Sequence, residues 1–195
     1  MRNRLLFAVL AAVTVTLSAC GINSIPTAEE NAKAKWAGVQ NQYQRRSDLI
    51  PNLVNTVRAA AQQERTVLRE VTEARASASR ITVTGEQLTD PDAIARYSAA
   101  QAQLTLSLQR LQEAYPELRT NQNFLTLQDQ LEGTENRITV ARSDYNTAVQ
   151  AYNTEIRTFP GVIGARVIYG SQPMAPFQAE EAAQRAPTVD FGNQQ

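Results

Sequence analysis

The chain has 195 residues, 43% of them hydrophobic, with 19 Lys+Arg against 19 Asp+Glu, one cysteine and no histidine. That length supports one domain with a real core. The missing imidazole removes Ser-His-Asp triads, Cys-His pairs, His-containing zinc sites and Glu-x-x-His di-metal bundles, and the balanced charge leaves no basic field to hold nucleic-acid phosphates.

Residues 1–19 read as a signal peptide: Arg2 and Arg4 form a positive n-region, and Leu5 to Leu17 form an apolar run of 13 residues. A spanning helix needs about 20 apolar residues, so this run has a leader's length. It ends in Leu17-Ser18-Ala19-Cys20, which resembles the bacterial lipobox, where the cysteine thiol takes a lipid and becomes the first residue. A lone cysteine has no internal disulfide partner. Fatty acyl (palmitate-type) chains on Cys20 would anchor the chain to a membrane, each buried CH₂ contributing about 0.8 kcal/mol. Gly21 in place of Asp favours, by the same resemblance, the outer membrane and a periplasm-facing protein. Residues 20–26 then form a linker.

From 27 to 159 the composition predicts an all-α domain, an elongated up-and-down bundle of three to four long helices. Half of the glycines and half of the prolines lie in residues 160–195, whereas Ala, Gln, Arg, Glu and Leu dominate before them. The first pattern, about 27–79, opens with Thr27 as N-cap and Glu30 as its capping-box partner. Trp36, Tyr43, Ile50, Val57 and Val71 fall on one seven-residue line, joined by Val39, Leu53, Ala60, Val67 and Ala74. Arg46 and Glu64 interrupt that seam, and Pro51, which cannot donate to the Ser47 carbonyl, predicts a kink or restart.

Asp90-Pro91 predicts the N-terminus of a second helix, with Ile94, Tyr97, Leu104, Leu108, Leu111 and Tyr115 inward, Gln101 as the polar exception, and Tyr115-Pro116 as its end. In the third pattern Phe124, Leu131, Ile138, Tyr145, Tyr152 and Phe159 recur at every seventh position, and Gly133 is the place where this helix could bend or divide. The tail, 160–195, is too apolar for a free linker. It is expected to wrap back over the bundle as extended chain, with a short helix at 178–186.

Several constellations have bland readings that outweigh their chemical ones. Glu70 with Glu73 and Glu132 with Glu135 have a carboxylate-ligand spacing, but they fall on solvent-facing positions without a histidine; no metal site and no cofactor is expected. Ser-Lys catalysis has only Lys33 and Lys35 to draw on, neither preceded by Ser-x-x-Lys, so no catalytic residues are assigned. Tyr145-Asn146 and Tyr152-Asn153 repeat at seven residues and read as core tyrosines with polar neighbours. The segment Arg45, Arg46, Asp48, Pro51 and Asn52 reads as a locked kink in which Arg46 or Asn52 serves the freed carbonyl and Asp48 caps a restarted helix. It is also the candidate partner-binding elbow.

These residues together resemble one family. Trp36-Ala37, Gln42-Tyr43-Gln44-Arg45-Arg46-Ser47-Asp48-Leu49-Ile50-Pro51-Asn52-Leu53-Val54 and Glu113-Ala114-Tyr115-Pro116-Glu117-Leu118 resemble motifs of the LemA family of bacterial membrane proteins. So do Phe124 with Leu127-Gln128, Thr134-Glu135-Asn136-Arg137-Ile138, Ala141-Arg142, Tyr145-Asn146, Tyr152-Asn153 and Phe159-Pro160. The resemblance covers about 27–191. It implies an up-and-down helical bundle carried on an N-terminal membrane segment, with neither a catalytic activity nor a cofactor. It points to a scaffold or adaptor bound to another envelope protein. The departure is the start, where many relatives keep a transmembrane helix and this chain has Leu-Ser-Ala-Cys. The alternative expectation is a ligand-binding lipoprotein or a cell-wall-associated hydrolase.

Overall fold

The structure, a computed structural model, describes residues 23–60 and 65–178. Four long helices follow in chain order: α1 (Ser24–Ala60), α2 (Thr66–Arg80), α3 (Pro91–Ala114) and α4 (Gln122–Glu155). No strand occurs among the described residues, so the fold is the all-α bundle that the stripes predict. At 1.5 Å per residue, α1 is a rod of about 55 Å and α4 one of about 51 Å. They lie antiparallel: Ser24 Oγ donates to Glu155 Oε1, Lys35 Nζ meets Asp144 Oδ2 at 3.0 Å, and Arg46 Nη1 meets Glu135 Oε1 at 2.7 Å. The three α1 residues are eleven apart, three helical turns, so one face of α1 tracks α4 along most of its length.

The fourth helix does not come from Gly133, which α4 runs straight through. It comes from the first pattern, which is two helices rather than one rod. α2 turns back along α1, placing Arg75 Nε 2.9 Å from the Ser47 carbonyl and Ser79 Oγ 3.5 Å from Ser47 Oγ. The reversal falls between Ala60, the last residue of α1, and Thr66, the first of α2. Neither glycine nor proline marks the spot.

The helix starts follow local chemistry. Asp90 Oδ1 accepts from Asp92 N at 2.9 Å with Pro91 in the first turn, as predicted, and Asn121 Oδ1 caps α4 by accepting from Asn123 N and Phe124 N at 3.0 and 3.2 Å. α1 differs. It begins at Ser24, and Thr27 sits inside the first turn with its hydroxyl donating to the Asn23 carbonyl at 2.9 Å, so the predicted Thr27–Glu30 capping box does not form.

α2 covers only the distal half of the bundle, beside Ile50, Leu53 and Val57; in the proximal half its place is taken by the 81–90 connection and by the tail. Trp36 is the centre there, its Nε1 donating to the Val83 carbonyl at 3.0 Å and its ring touching Tyr97, Tyr145 and Phe177 at centroid distances of 5.2, 5.3 and 5.5 Å. Rings in tilted or offset contact add about 0.5–1.5 kcal/mol a pair beyond their buried area.

After α4 the chain makes a short helical turn, Gly161–Gly164, and a π-helical turn, Ala165–Tyr169, where extended chain was expected. A side chain at Gly161 would collide with the Glu155 carbonyl oxygen, and Gly170, at φ 59°, reverses the chain in the left-handed region. Residues 171–178 then run back along α4 without helix, as predicted. Phe159, expected on the α4 stripe, is 82% exposed instead, because α4 stops at Glu155 and the seven-residue spacing no longer sets its direction. The predicted helix at 178–186 lies, but for its first residue, outside the described residues.

Candidate functional site

The Arg45–Asn52 segment lies within α1, which continues through Pro51 with no restart, so Asp48 caps nothing; its Oδ1 accepts instead from Gln44 Nε2 at 2.7 Å, one turn earlier. The carbonyl that Pro51 leaves without a helical N–H belongs to Ser47. Its donor is neither Arg46 nor Asn52 but Arg75, whose Nε reaches Ser47 O at 2.9 Å and Ser47 Oγ at 3.1 Å from α2. A donor on another helix satisfies the group that proline orphans, and it ties the proline position of α1 to α2.

Five residues of one short sequence thus divide into two roles. Arg45, Asp48, Pro51 and Asn52 are exposed. Arg45, Asp48 and Asn52, at i, i+3 and i+7, share one outer face of α1 with exposed Asn41 and Asn55. Arg46 points the other way and is only 1% exposed, which removes it from any partner-contacting elbow. It occupies the seam position between Val39 and Leu53, and acceptors for four of its five donors make that burial tolerable.

Arg46 Nη2 donates to Gln101 Oε1 at 2.6 Å and to the Gln101 carbonyl at 3.1 Å. Its Nη1 donates to Thr105 Oγ1 at 2.8 Å and to Glu135 Oε1 at 2.7 Å. Four of the five guanidinium donors are satisfied. The fifth, on Nε, has no partner among the described residues, and the guanidinium carbon lies 5.0 Å from the centre of the Tyr43 ring, a cation–π contact. The charge is therefore met by one carboxylate on α4, a ring on α1 and neutral oxygens on α3.

This layer separates two apolar clusters. One holds Trp36, Tyr43, Tyr97, Ile138 and Tyr145; the other holds Ile50, Leu53, Leu104, Leu111 and Leu131. Between them lie buried Arg46, Ser47, Gln101 and Thr134. The layer reaches the surface on both sides. A cleft of about 310 Å³ opens over Gln101 and Ser47, rimmed by Gln40, Asn41, Gln44 and Ser79, and one of about 280 Å³ opens over Thr105 and Glu135, rimmed by Gln109, Gln128 and Glu132. The first mixes amides and hydroxyls with Ala78, Ile81 and Leu104, and the second sets Glu132, Glu135 and four amides beside Leu108 and Leu131.

Tyr145-Asn146 and Tyr152-Asn153 hold the tail. Asn146 donates to Phe177 O at 3.1 Å and accepts from Phe177 N at 2.8 Å, and Asn153 does the same to Met174 at 2.8 and 2.9 Å. The two tyrosine hydroxyls donate to Ala175 O and Gln172 O at 2.9 and 3.1 Å. Seven helical residues advance about 10.5 Å and three extended ones about 10 Å, which is why one spacing fits the other. The polar neighbours expected for these tyrosines are therefore backbone groups of the tail.

Other carboxylates form ordinary ion pairs. Glu70 meets Arg110 at 3.8 Å and Glu73 meets Arg69 at 3.6 Å. Lys33 lies 2.8 Å from Glu29, and Glu29 with Glu30 raises its pKa; Lys35 pairs with Asp144. Among the described residues no three His, Cys, Asp or Glu side chains gather as a metal site would need. Cys20 lies outside the described residues. No described helix is long and apolar enough to cross a membrane.

Comparison with models of known families matches residues 35–191 to the LemA family. Comparison with curated proteins finds no match.

Proposed function

The chain belongs to the LemA family, and from that premise we propose that it is a lipid-anchored scaffold or adaptor of the bacterial cell envelope, without catalysis, that docks another membrane or periplasmic protein. In this reading the leader is removed before Cys20, lipid on Cys20 holds the protein to the outer membrane, and the bundle faces the periplasm. The support for the anchor is Leu17-Ser18-Ala19-Cys20 behind a short apolar run.

The observation that carries the docking role is the exposed stripe Asn41, Arg45, Asp48, Asn52 and Asn55 on a helix whose inner side is fixed at the same level twice, by Arg46 to α3 and α4 and by Arg75 to the Ser47 carbonyl. A backbone held this firmly needs no reordering on binding, which leaves only the side chains' own ordering cost. Arg45→Glu in the lipidated protein tests it. Loss of in-cell crosslinks with an unmoved thermal midpoint is expected, since exposed substitutions usually stay within about 0.5 kcal/mol. Retained crosslinks reject the stripe. Labelled fatty acid entering the wild type but not Cys20→Ser tests the anchor.

A further inference from the structure

Among the described residues the large exposed apolar side chains do not scatter over the bundle. Leu106 and Val140 stand singly, but Phe159, Ile163, Val167, Ile168 and Tyr169 crowd into eleven residues after α4, and Val167 is 78% exposed. Ile163 and Val167 are one helical turn apart. From Ile156 to Gln178 there is no carboxylate, and the two charged residues, Arg157 and Arg166, are exposed cations. Apolar side chains, a tyrosine and arginines without acids are the composition of a surface that meets the boundary between acyl chains and anionic headgroups.

Its place in the fold identifies the occupant. Ser24, the first residue of α1, bonds Glu155, the last of α4, so the start of the bundle and the root of the apolar segment share one end. Residues 1–22 lead into that end, and Cys20 stands four Cα steps from Ser24, at most about 14 Å. The tail leaves it, since residues 172–178 climb α4 toward Arg142, whose Nη2 donates to Gln178 O at 3.3 Å. We infer that Phe159–Tyr169 is a membrane-contact face, which rests on the bilayer surface with Arg157 and Arg166 among the headgroups. The inference rests on the proposal that the chain is anchored at its N-terminus. It makes the anchor and this face a two-point attachment that stands the bundle at a fixed height and orientation.

The test uses the full-length protein in vesicles of phosphatidylethanolamine and phosphatidylglycerol that carry nitroxide-labelled acyl chains. A fluorophore is attached at Val167→Cys and, for comparison, at Glu117→Cys in the exposed turn between α3 and α4, at the far end. Most of the emission at residue 167 is expected to be quenched and that at 117 retained, and Ile163→Asp with Ile168→Asp should abolish the quenching while the protein still floats with the vesicles. Equal emission at both positions on vesicle-bound protein overturns the face and leaves the anchor standing. The wild type reports on the anchor separately, because a lipidated Cys20 thiol takes no label. Label entering Cys20 overturns the anchor, and the face is then read by the same quenching at 167 in a Cys20→Ser background, where 167 carries the one fluorophore and absence of quenching rejects the face.

Discussion

Arg46 and Gln101 meet at 2.6 Å in the middle of the bundle, each the one polar residue on a stripe of its own helix that is otherwise apolar at this level. Sliding α3 along α1 by one turn would set the guanidinium against Leu104 or Tyr97 and leave the buried cation with Glu135 of α4 as its one remaining side-chain acceptor, which burial penalises. The pair therefore selects one register out of several that an all-apolar seam would accept. That is the best-attested use of a buried polar group.

Arg46→Ala removes this layer's centre, leaves a cavity and strips Gln101 of its partner, so a loss of about 3–5 kcal/mol is expected in urea unfolding. Glu135 is half-exposed and rehydrates, which limits the cost on its side. Arg46→Met with Gln101→Leu should regain most of the stability, and the product should be less uniquely packed. A double variant as unstable as Arg46→Ala would argue against a register role and for a strongly stabilising ion pair.

The Pro51–Arg75 relationship predicts a coupled pair. Arg75→Ala orphans the Ser47 carbonyl and should destabilise by about 1–3 kcal/mol. Pro51→Ala restores an N–H to that carbonyl, so in its background the same Arg75 change should cost measurably less. Additive effects across the double-mutant cycle would mean that Arg75 acts elsewhere.

The two asparagines should hold the tail independently of the bundle. Asn153→Ala is expected to raise amide hydrogen exchange at Met174, and Asn146→Ala at Phe177, each by the equivalent of about 1–3 kcal/mol for two lost partners. Exchange within α3 should not change. Global loss of protection in either variant would show that the tail and bundle unfold as one unit.

Alkaline pH should unfold the protein through its tyrosines. Burial pushes the Tyr97 and Tyr145 phenols well above the usual range, so above about pH 10 the unfolded chain ionises while the folded one keeps its protons. Stability is fully present below that pH and falls above it, by up to about 1.4 kcal/mol per pH unit for each phenol. Tyr145→Phe should flatten the fall while giving up the bond to Ala175 O. An unchanged slope in denaturant titrations from pH 9 to 11 would contradict it.

Much of the bundle was legible from periodicity. The α3 stripe and, up to Tyr152, the α4 stripe lie inside as their spacing demands, and Asp90-Pro91 starts a helix because an acceptor and a fixed φ suffice locally. The Tyr-Asn repeats were legible as polar neighbours in a core, but their partners were not, since those lie about 20 to 30 residues later in a tail whose return only packing determines.

What the sequence by itself determined about this protein is the class, the seams and the positions where polarity breaks them, because each depends on residues within one or two helical turns. The tertiary structure alone decided where the first pattern folds back, that Arg46 is the inside of a segment whose outside is Arg45, and that Arg75 serves the Ser47 carbonyl. Those outcomes depend on acceptors and donors brought in from 28 to 89 residues away. A charged residue in an apolar seam looks the same in one dimension whether it will be left in solvent or be buried, as at Arg46. The physical difference is whether another helix arrives with oxygens to meet it.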